Sequence, residues 1–223
     1  MPEFDMQQAI DFMTPALRQP KVKLFVLNNF RAGELRGARD LSAFVELIED
    51  PAVKAKVIRH TGDEGRHQYI LAKRMIELGG VRTLRPVAKE FDFLEQLSEA
   101  GRAAQEGRRD LEGKIMAGAA LNNRDLVGFA VSAQRVEVDA LQFLNAVWES
   151  CGTDLGTRRV IEDICCDEEY HVRYLTELIR QFEDEGCADE VRAQRAVVNR
   201  INDQIGAAMD ARMAEQFARL MQG

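Results

Sequence analysis

The sequence predicts an all-α protein, an up-down-down-up four-helix bundle with a long crossover and an extra C-terminal helix. Apolar residues recur every three or four positions along five long stretches, which is the period of a helix packed on one face. Only 5 of the 223 residues are proline. Short connections join the stretches into pairs, and residues 81–120 separate the pairs. A single domain over residues 1–223 is expected, with the core bundle at about 22–186.

The N-terminal segment contains Pro15 and Pro20, which restrict it to a short helix or an arm. The first long helix is predicted from about Val22, and its apolar stripe reaches Ile48 with Glu34 as its only charged member. Asp50-Pro51 then provides an N-cap and a first helical residue for the second helix.

Gly79-Gly80 is predicted to end the second helix. Residues 81–120 are interpreted as the crossover, with a short helix near 88–99. The third helix carries Glu137 and stops near Gly152, and the fourth ends at about Gly186. The C-terminal helix, about 189–220, is predicted to pack on the bundle or on a second subunit of a homodimer. Its predicted apolar face contains Ala193, Val197, Ile201, Ile205, Met209, Met213 and Phe217.

Charge and cysteine spacing exclude several classes of function. The net charge of −7 argues against a general nucleic-acid-binding surface. No apolar run is long enough for a membrane span, and the acidic N-terminus does not resemble a signal peptide, so a cytoplasmic protein is expected. The 4 cysteines form no C-x-x-C pair, which excludes a zinc ribbon or a rubredoxin-type iron site.

A short motif, Asp-Glu-x-x-His, occurs twice in the chain. It spans Asp63 to His67 and again Asp167 to His171, and each copy follows an upstream glutamate, Glu34 or Glu137, on another predicted helix. Positions i and i+3 of a helix share a face, so the Glu and the His of each motif point the same way. The chain therefore carries a duplicated set of oxygen and nitrogen ligands on apolar stripes.

Four carboxylates and two imidazoles facing each other inside a bundle would be costly to bury without compensation. Two divalent cations would balance the four negative charges, and a metal-free structural bundle is the alternative. Fe(II) and Mn(II) accept this mixture of carboxylate and imidazole ligands. Two such cations are the predicted cofactor, and the ligand types leave iron, manganese and a mixed pair open. The predicted metal ligands, which would also be the catalytic residues, are Glu34, Glu64, His67, Glu137, Glu168 and His171.

This ligand set resembles that of the ferritin-like di-iron and di-manganese carboxylate superfamily, over about residues 22–186. The resemblance implies a ferritin-like bundle with two iron ions as the cofactor, or manganese or a mixed pair as alternatives. It implies that Glu64 and Glu168 bridge the metals. It also implies that Glu34 and Glu137 are terminal ligands and that each motif histidine holds one metal.

The acids that begin the two motifs, Asp63 and Asp167, are predicted to orient the imidazoles across the pair, as in oxygen-activating members of the superfamily. His60 shares the face of Glu64 and is interpreted as a hydrogen-bonded core histidine, with an outer-shell or substrate-side role as the alternative. Small residues beside the terminal ligands either leave room for O2, peroxide or a substrate, or allow close helix approach: Gly33, Gly37, Ala133 and Ala140.

Three functions follow from the resemblance. The first is a di-metal oxidoreductase that activates O2, takes electrons from an external donor and hydroxylates or oxidises a small organic molecule. tRNA is an alternative substrate, with phosphate contacts from Arg82–Arg85 and Arg102–Arg109. The second is a peroxidase or ferroxidase of the rubrerythrin or ferritin kind, although no rubredoxin module is present. The third is a non-catalytic bundle that metal only stabilises.

Overall fold

The computed structural model describes residues 6–88 and 109–222, and within these ranges the chain is helical, as predicted. An isolated parallel bridge, Ile48 to Leu121, is the nearest approach to a strand among them. No described helix is both long and apolar enough to cross a membrane. The predicted helix near 88–99 and most of Arg102–Arg109 fall outside the described ranges. The helices are α1 (Met6–Leu17), α2 (Pro20–Ser42), α3 (Pro51–Glu77), α4 (Arg109–Met116), α5 (Asn123–Ser150), α6 (Leu155–Phe182) and α7 (Ala188–Gln222).

Local sequence determines several helix ends. The Asp50 side chain accepts hydrogen bonds from two backbone N–H groups in the first turn of α3, and Pro51 is the first residue of that helix. Gly79 follows α3 with a φ of 78°, a conformation that glycine adopts without steric cost. Asn122 and Asp125 form a capping box at the start of α5. These four features require no contact with the rest of the chain.

The N-terminal segment forms a short helix, one of its two predicted alternatives, and one predicted helix limit differs from the structure. Pro15 lies inside α1, in its last turn, so the N-terminal segment forms three helical turns despite the lost backbone donor. The predicted first helix runs to Ile48, whereas α2 ends at Ser42 and a 3-10 turn, Val45–Leu47, follows. The apolar pattern continues past the helix end because Ile48 packs into the same apolar cluster as Leu41.

The C-terminal helix α7 packs against the rest of the chain. Val191 and Val198 are buried, and the Phe217 ring stacks on Phe12 with centroids 5.6 Å apart. The predicted apolar face was wrong at Ala193, which is exposed. The π turn Glu183–Cys187 joins α6 directly to α7 and determines which face of α7 is turned toward the bundle. The periodicity of α7 alone does not specify that face.

Two apolar clusters lie along the same four long helices, α2, α3, α5 and α6, and α7 contributes to both. The residues between the two clusters on these four helices include the predicted metal ligands. The first apolar cluster includes Leu41, Val53, Val57, Leu126, Val131, Leu175 and Phe182. The second apolar cluster includes Val26, Leu27, Leu71, Met75, Leu144, Ile161 and Ile164.

Asp154 joins three helices at the end that holds the second apolar cluster. Its carboxylate accepts hydrogen bonds from the backbone N–H and the hydroxyl of Thr157, from Lys23 Nζ at 2.5 Å and from Arg74 Nη2 at 2.6 Å. Although burial acts in the opposite direction, hydrogen bonds from Lys23 and Thr157 hold the pKa of this carboxyl well below its usual range. The group therefore caps α6 and ties it to α2 and α3.

We expect Asp154→Ala to lower the free energy of unfolding at pH 7 by about 2–4 kcal/mol, because it removes the cap of α6 and the carboxylate that accepts from two half-buried cations, Lys23 and Arg74. The pKa of Asp154 is lower in the folded protein than in the unfolded chain. Its stabilisation is therefore complete above about pH 4 and is lost as the pH falls further.

Urea unfolding of the wild type and the variant at several pH values measures this difference. Asp189, whose side chain is 89% exposed beside Arg192, provides the control, because Asp189→Ala should change the unfolding free energy by less than about 0.5 kcal/mol. A difference between wild type and Asp154→Ala that stays constant down to about pH 3 would contradict the assignment.

Candidate metal centre

All six predicted ligands lie together in the layer between the two apolar clusters. α2 contributes one acid, α3 an acid and a histidine, α5 one acid and α6 an acid and a histidine. A further histidine of α3, His60, lies with them. None of the seven residues is more than 8% exposed: Glu34, His60, Glu64, His67, Glu137, Glu168 and His171.

The polar atoms form two groups, and within each group the candidate ligand atoms lie within 4.8 Å of one another. Glu64 belongs to both groups. The first ligand group consists of Glu34, Glu64, His67 and Glu168. The second ligand group consists of His60, Glu64, Glu137 and His171.

Each imidazole of the two motifs directs Nδ1 toward the acids of this layer. His67 Nδ1 lies 3.0 Å from Glu34 Oε2 and 3.3 Å from Glu168 Oε1. His171 Nδ1 lies 2.9 Å from Glu168 Oε2. Glu168 thus contacts the histidines of both motifs with its two different oxygens, so its carboxylate spans the two ligand groups.

The outward Nε2 atoms of the same two histidines contact the acids that begin the motifs. His67 Nε2 lies 3.2 Å from Asp167 Oδ2, and His171 Nε2 lies 3.3 Å from Asp63 Oδ2. Each acid is on the other helix from its histidine, which is the cross-pair placement expected from the sequence. That these acids orient metal-bound rings stays a prediction.

Burial raises the pKa of three acids in the layer, Glu64, Glu137 and Glu168, because it removes their charged forms from water. The negative charges of Glu34, Glu137 and Glu168 raise the pKa of Glu64 further. Hydrogen bonding from His67 opposes the shift at Glu168. The layer consequently favours positive charge, which can be provided by protons or by metal cations.

The two motif histidines shift in opposite directions. Burial alone would lower the pKa of His67, but hydrogen bonds with Glu168 and Glu34 raise it to about 11. Burial and the neighbouring charge of His60 lower the pKa of His171 to about 4. The first ligand group therefore has the stronger excess of negative charge around its imidazole.

At Gly37 the sequence left open whether the small residue makes a cavity or allows close approach. A Cβ atom at Gly37 would lie 2.9 Å from Glu64 Cδ and closer still to Oε2, so the Glu64 carboxyl group already fills this space. Gly37 is needed because a carboxylate of α3 approaches the backbone of α2 there.

Three residues of the site, Tyr174, Arg66 and Arg59, were not assigned from the sequence. Tyr174 is 1% exposed, and its hydroxyl lies 2.6 Å from His60 Nδ1. Arg66 donates a hydrogen bond to Asp167, and the Arg59 guanidinium lies 3.5 Å from the centroid of the Tyr170 ring. Tyr174 lies three positions after His171, so helical spacing places the two side chains on the same face and indicates that Tyr174 belongs to the site.

His60 was interpreted as a hydrogen-bonded core histidine, and its contact with Tyr174 agrees with that description. The interpretation does not account for its position in the second ligand group. The spacing that places His60 one turn before Glu64 was visible in the sequence, but its inward orientation depends on the packing of α3 against α2 and α6.

The donor set fits a pair of divalent cations. Its seven side chains offer only carboxylate oxygen and imidazole nitrogen, and the four acids carry enough negative charge to balance two such ions. The four cysteines are free thiols, and Cys165, which borders the layer, has its pKa raised to about 12 by burial. Comparisons with profiles of known protein families, with curated proteins and with solved structures find no match.

Proposed function

We propose that this protein holds two iron ions between its apolar clusters and is an oxidoreductase that activates O2 to hydroxylate or oxidise an organic substrate. The observation that carries the proposal is the pair of buried ligand groups that share Glu64. A small organic molecule is the proposed substrate, and an external donor supplies electrons.

The proposed architecture is a ferritin-like four-helix bundle with up-down-down-up topology. Along the chain, α2 and α6 run from the second apolar cluster to the first, whereas α3 and α5 run from the first to the second. The bridge between Ile48 and Leu121 supports this order, because it joins the segments that precede α3 and α5. In such a bundle the ligands from four helices converge at mid-length.

In this proposal Glu34 and His67 hold one iron, and Glu137 and His171 hold the other. Glu64 is shared, as its place in both ligand groups supports. Glu168 would bridge as well, since its two oxygens contact the imidazoles of both motifs. The four carboxylates neutralise the four positive charges of two ferrous ions.

The bound iron pair supplies the electron transfer to O2 that carboxylates and imidazoles cannot perform. The residues of the chain hold and orient that pair. Asp63 and Asp167 fix the rings of His171 and His67 through their outward nitrogens. The apolar clusters on either side keep bulk water from the layer, which strengthens the electrostatic interactions inside it.

Anaerobic loading with Fe(II) followed by rapid mixing with O2 tests the function. We expect a transient visible absorption band and O2 uptake in proportion to bound iron. Glu137→Gln should lose both, and Glu162→Gln, on the exposed face of α6, should keep both. Faster consumption of peroxide than of O2 would instead support a peroxidase, and loading of many irons a ferroxidase. If iron binds but none of these reactions occurs, the metal has only a structural role.

A further inference from the structure

We infer that His60 is a third imidazole ligand, which makes the two metal positions chemically different and selective for different cations. The inference rests on the proposed binding of two ions, but not on the reaction that they carry out. It concerns the second ligand group, in which His60 and His171 accompany two carboxylates.

The Nε2 atom of His60 occupies a place suited to a metal ligand. It lies 3.1 Å from Glu64 Oε1 and 3.2 Å from Glu137 Oε1. The side chain is 1% exposed, and its ring stacks on His171 with centroids 3.7 Å apart. Nε2 thus points into the space between carboxylates of two helices, away from solvent, with a second imidazole alongside.

The other ring nitrogen of His60 has a fixed partner. Nδ1 lies 2.6 Å from the Tyr174 hydroxyl, which can either donate or accept a hydrogen bond. When Nδ1–H donates to that hydroxyl, Nε2 presents a lone pair toward Glu64 and Glu137. A lone pair facing two carboxylates is stable only when a proton or a metal cation lies between them, and metal-binding histidines commonly have such a partner on the second nitrogen.

The matching position on α6 carries no ligand. His60 lies four residues before Glu64, whereas the residue four before Glu168 is Ile164, which is fully buried in the second apolar cluster. The two halves of the repeated motif therefore differ at this position. The first ligand group has three carboxylates and one imidazole, and the second has two of each.

This difference in donors predicts a difference in metal preference. Carboxylate oxygen suits Mn(II), and imidazole nitrogen suits Fe(II), Co(II) and Zn(II) better. We therefore expect Co(II) to enter the second ligand group first, and Mn(II) to be retained more readily in the first.

Proton NMR of the Co(II)-loaded wild-type protein tests the assignment directly. Each neutral imidazole bound to cobalt retains one N–H, so three ligating histidines give three strongly shifted, solvent-exchangeable resonances. Two such resonances from a protein that binds two cobalt ions would overturn the role of His60 and leave the two-metal proposal intact. A protein that binds no cobalt would contradict both.

Calorimetric titration with Co(II) provides the second measurement. His60→Ile introduces the residue found at the matching position of α6, and we expect it to weaken one of the two binding events by at least about 10- to 100-fold and to spare the other. Tyr174→Phe should weaken the same event less and keep all three resonances. Ile164→Val is the control for a change of packing alone. Two unchanged affinities in His60→Ile, with a folded variant by circular dichroism, would also overturn the inference.

Discussion

Replacing Glu64 by glutamine is expected to remove both metal ions and to make the metal-free protein more stable. Glu64 belongs to both ligand groups, so the amide of Glu64→Gln leaves each group one carboxylate short. In the metal-free protein the same change relieves repulsion, because Glu64 is 5% exposed and three acids raise its pKa further. Glutamine is neutral without taking up a proton, so removing the cost of burying or protonating this carboxyl should increase the unfolding free energy by roughly 1–2 kcal/mol.

Metal content after anaerobic loading with Fe(II) and desalting, together with urea unfolding in the presence of a chelator, measures both effects of Glu64→Gln. The matched control is Glu169→Gln, because Glu169 lies on the exposed face of α6 beside a predicted ligand. The control should bind two ions and change the unfolding free energy by less than about 0.5 kcal/mol. If Glu64→Gln still retains two ions, the proposal that Glu64 binds both metals is wrong.

The second large effect is expected at a residue that binds nothing. Gly37→Ala introduces a Cβ 2.9 Å from Glu64 Cδ, so the carboxyl group of Glu64 must move. We expect a loss of metal affinity of at least about 10- to 100-fold, comparable with the loss of a group that orients a ligand. Alanine is a better helix former than glycine by about 1 kcal/mol, which offsets part of the steric cost in the metal-free protein.

Gly62→Ala is the control for Gly37→Ala, because Gly62 lies in the interior of α3 and a Cβ there meets no atom within 4 Å. It should stabilise the protein by about 0.5–1 kcal/mol and leave metal binding unchanged. Equal loss of metal in both variants would show that helix propensity, and not the position of Glu64, is responsible.

The parts of the fold that the sequence predicts well are those determined by local chemistry. Asp50 and Gly79 act through hydrogen bonds and backbone conformation within one turn, so the limits of α3 follow from the sequence. The positions of the candidate ligands were also readable, because acids such as Glu34 and Glu137 interrupt apolar stripes whose period is that of a helix.

Features that depend on contacts between helices were not predictable from the sequence. The requirement for Gly37 arises from a carboxylate of another helix, and the position of His60 depends on Tyr174 and Glu137 across the layer. The buried face of α7 depends on the turn at Gly186, whose φ is 93°. Periodicity within one helix contains none of this information.

Anomalous X-ray diffraction from crystals of the metal-loaded protein tests the central claim most directly. We predict two peaks per chain, both in the layer between the apolar clusters and both adjacent to the Glu64 carboxylate. One peak should lie against Glu34 and His67, and the other against Glu137 and His171. Peaks only at the protein surface, or carboxylates of Glu34 and Glu137 directed into solvent, would contradict the account.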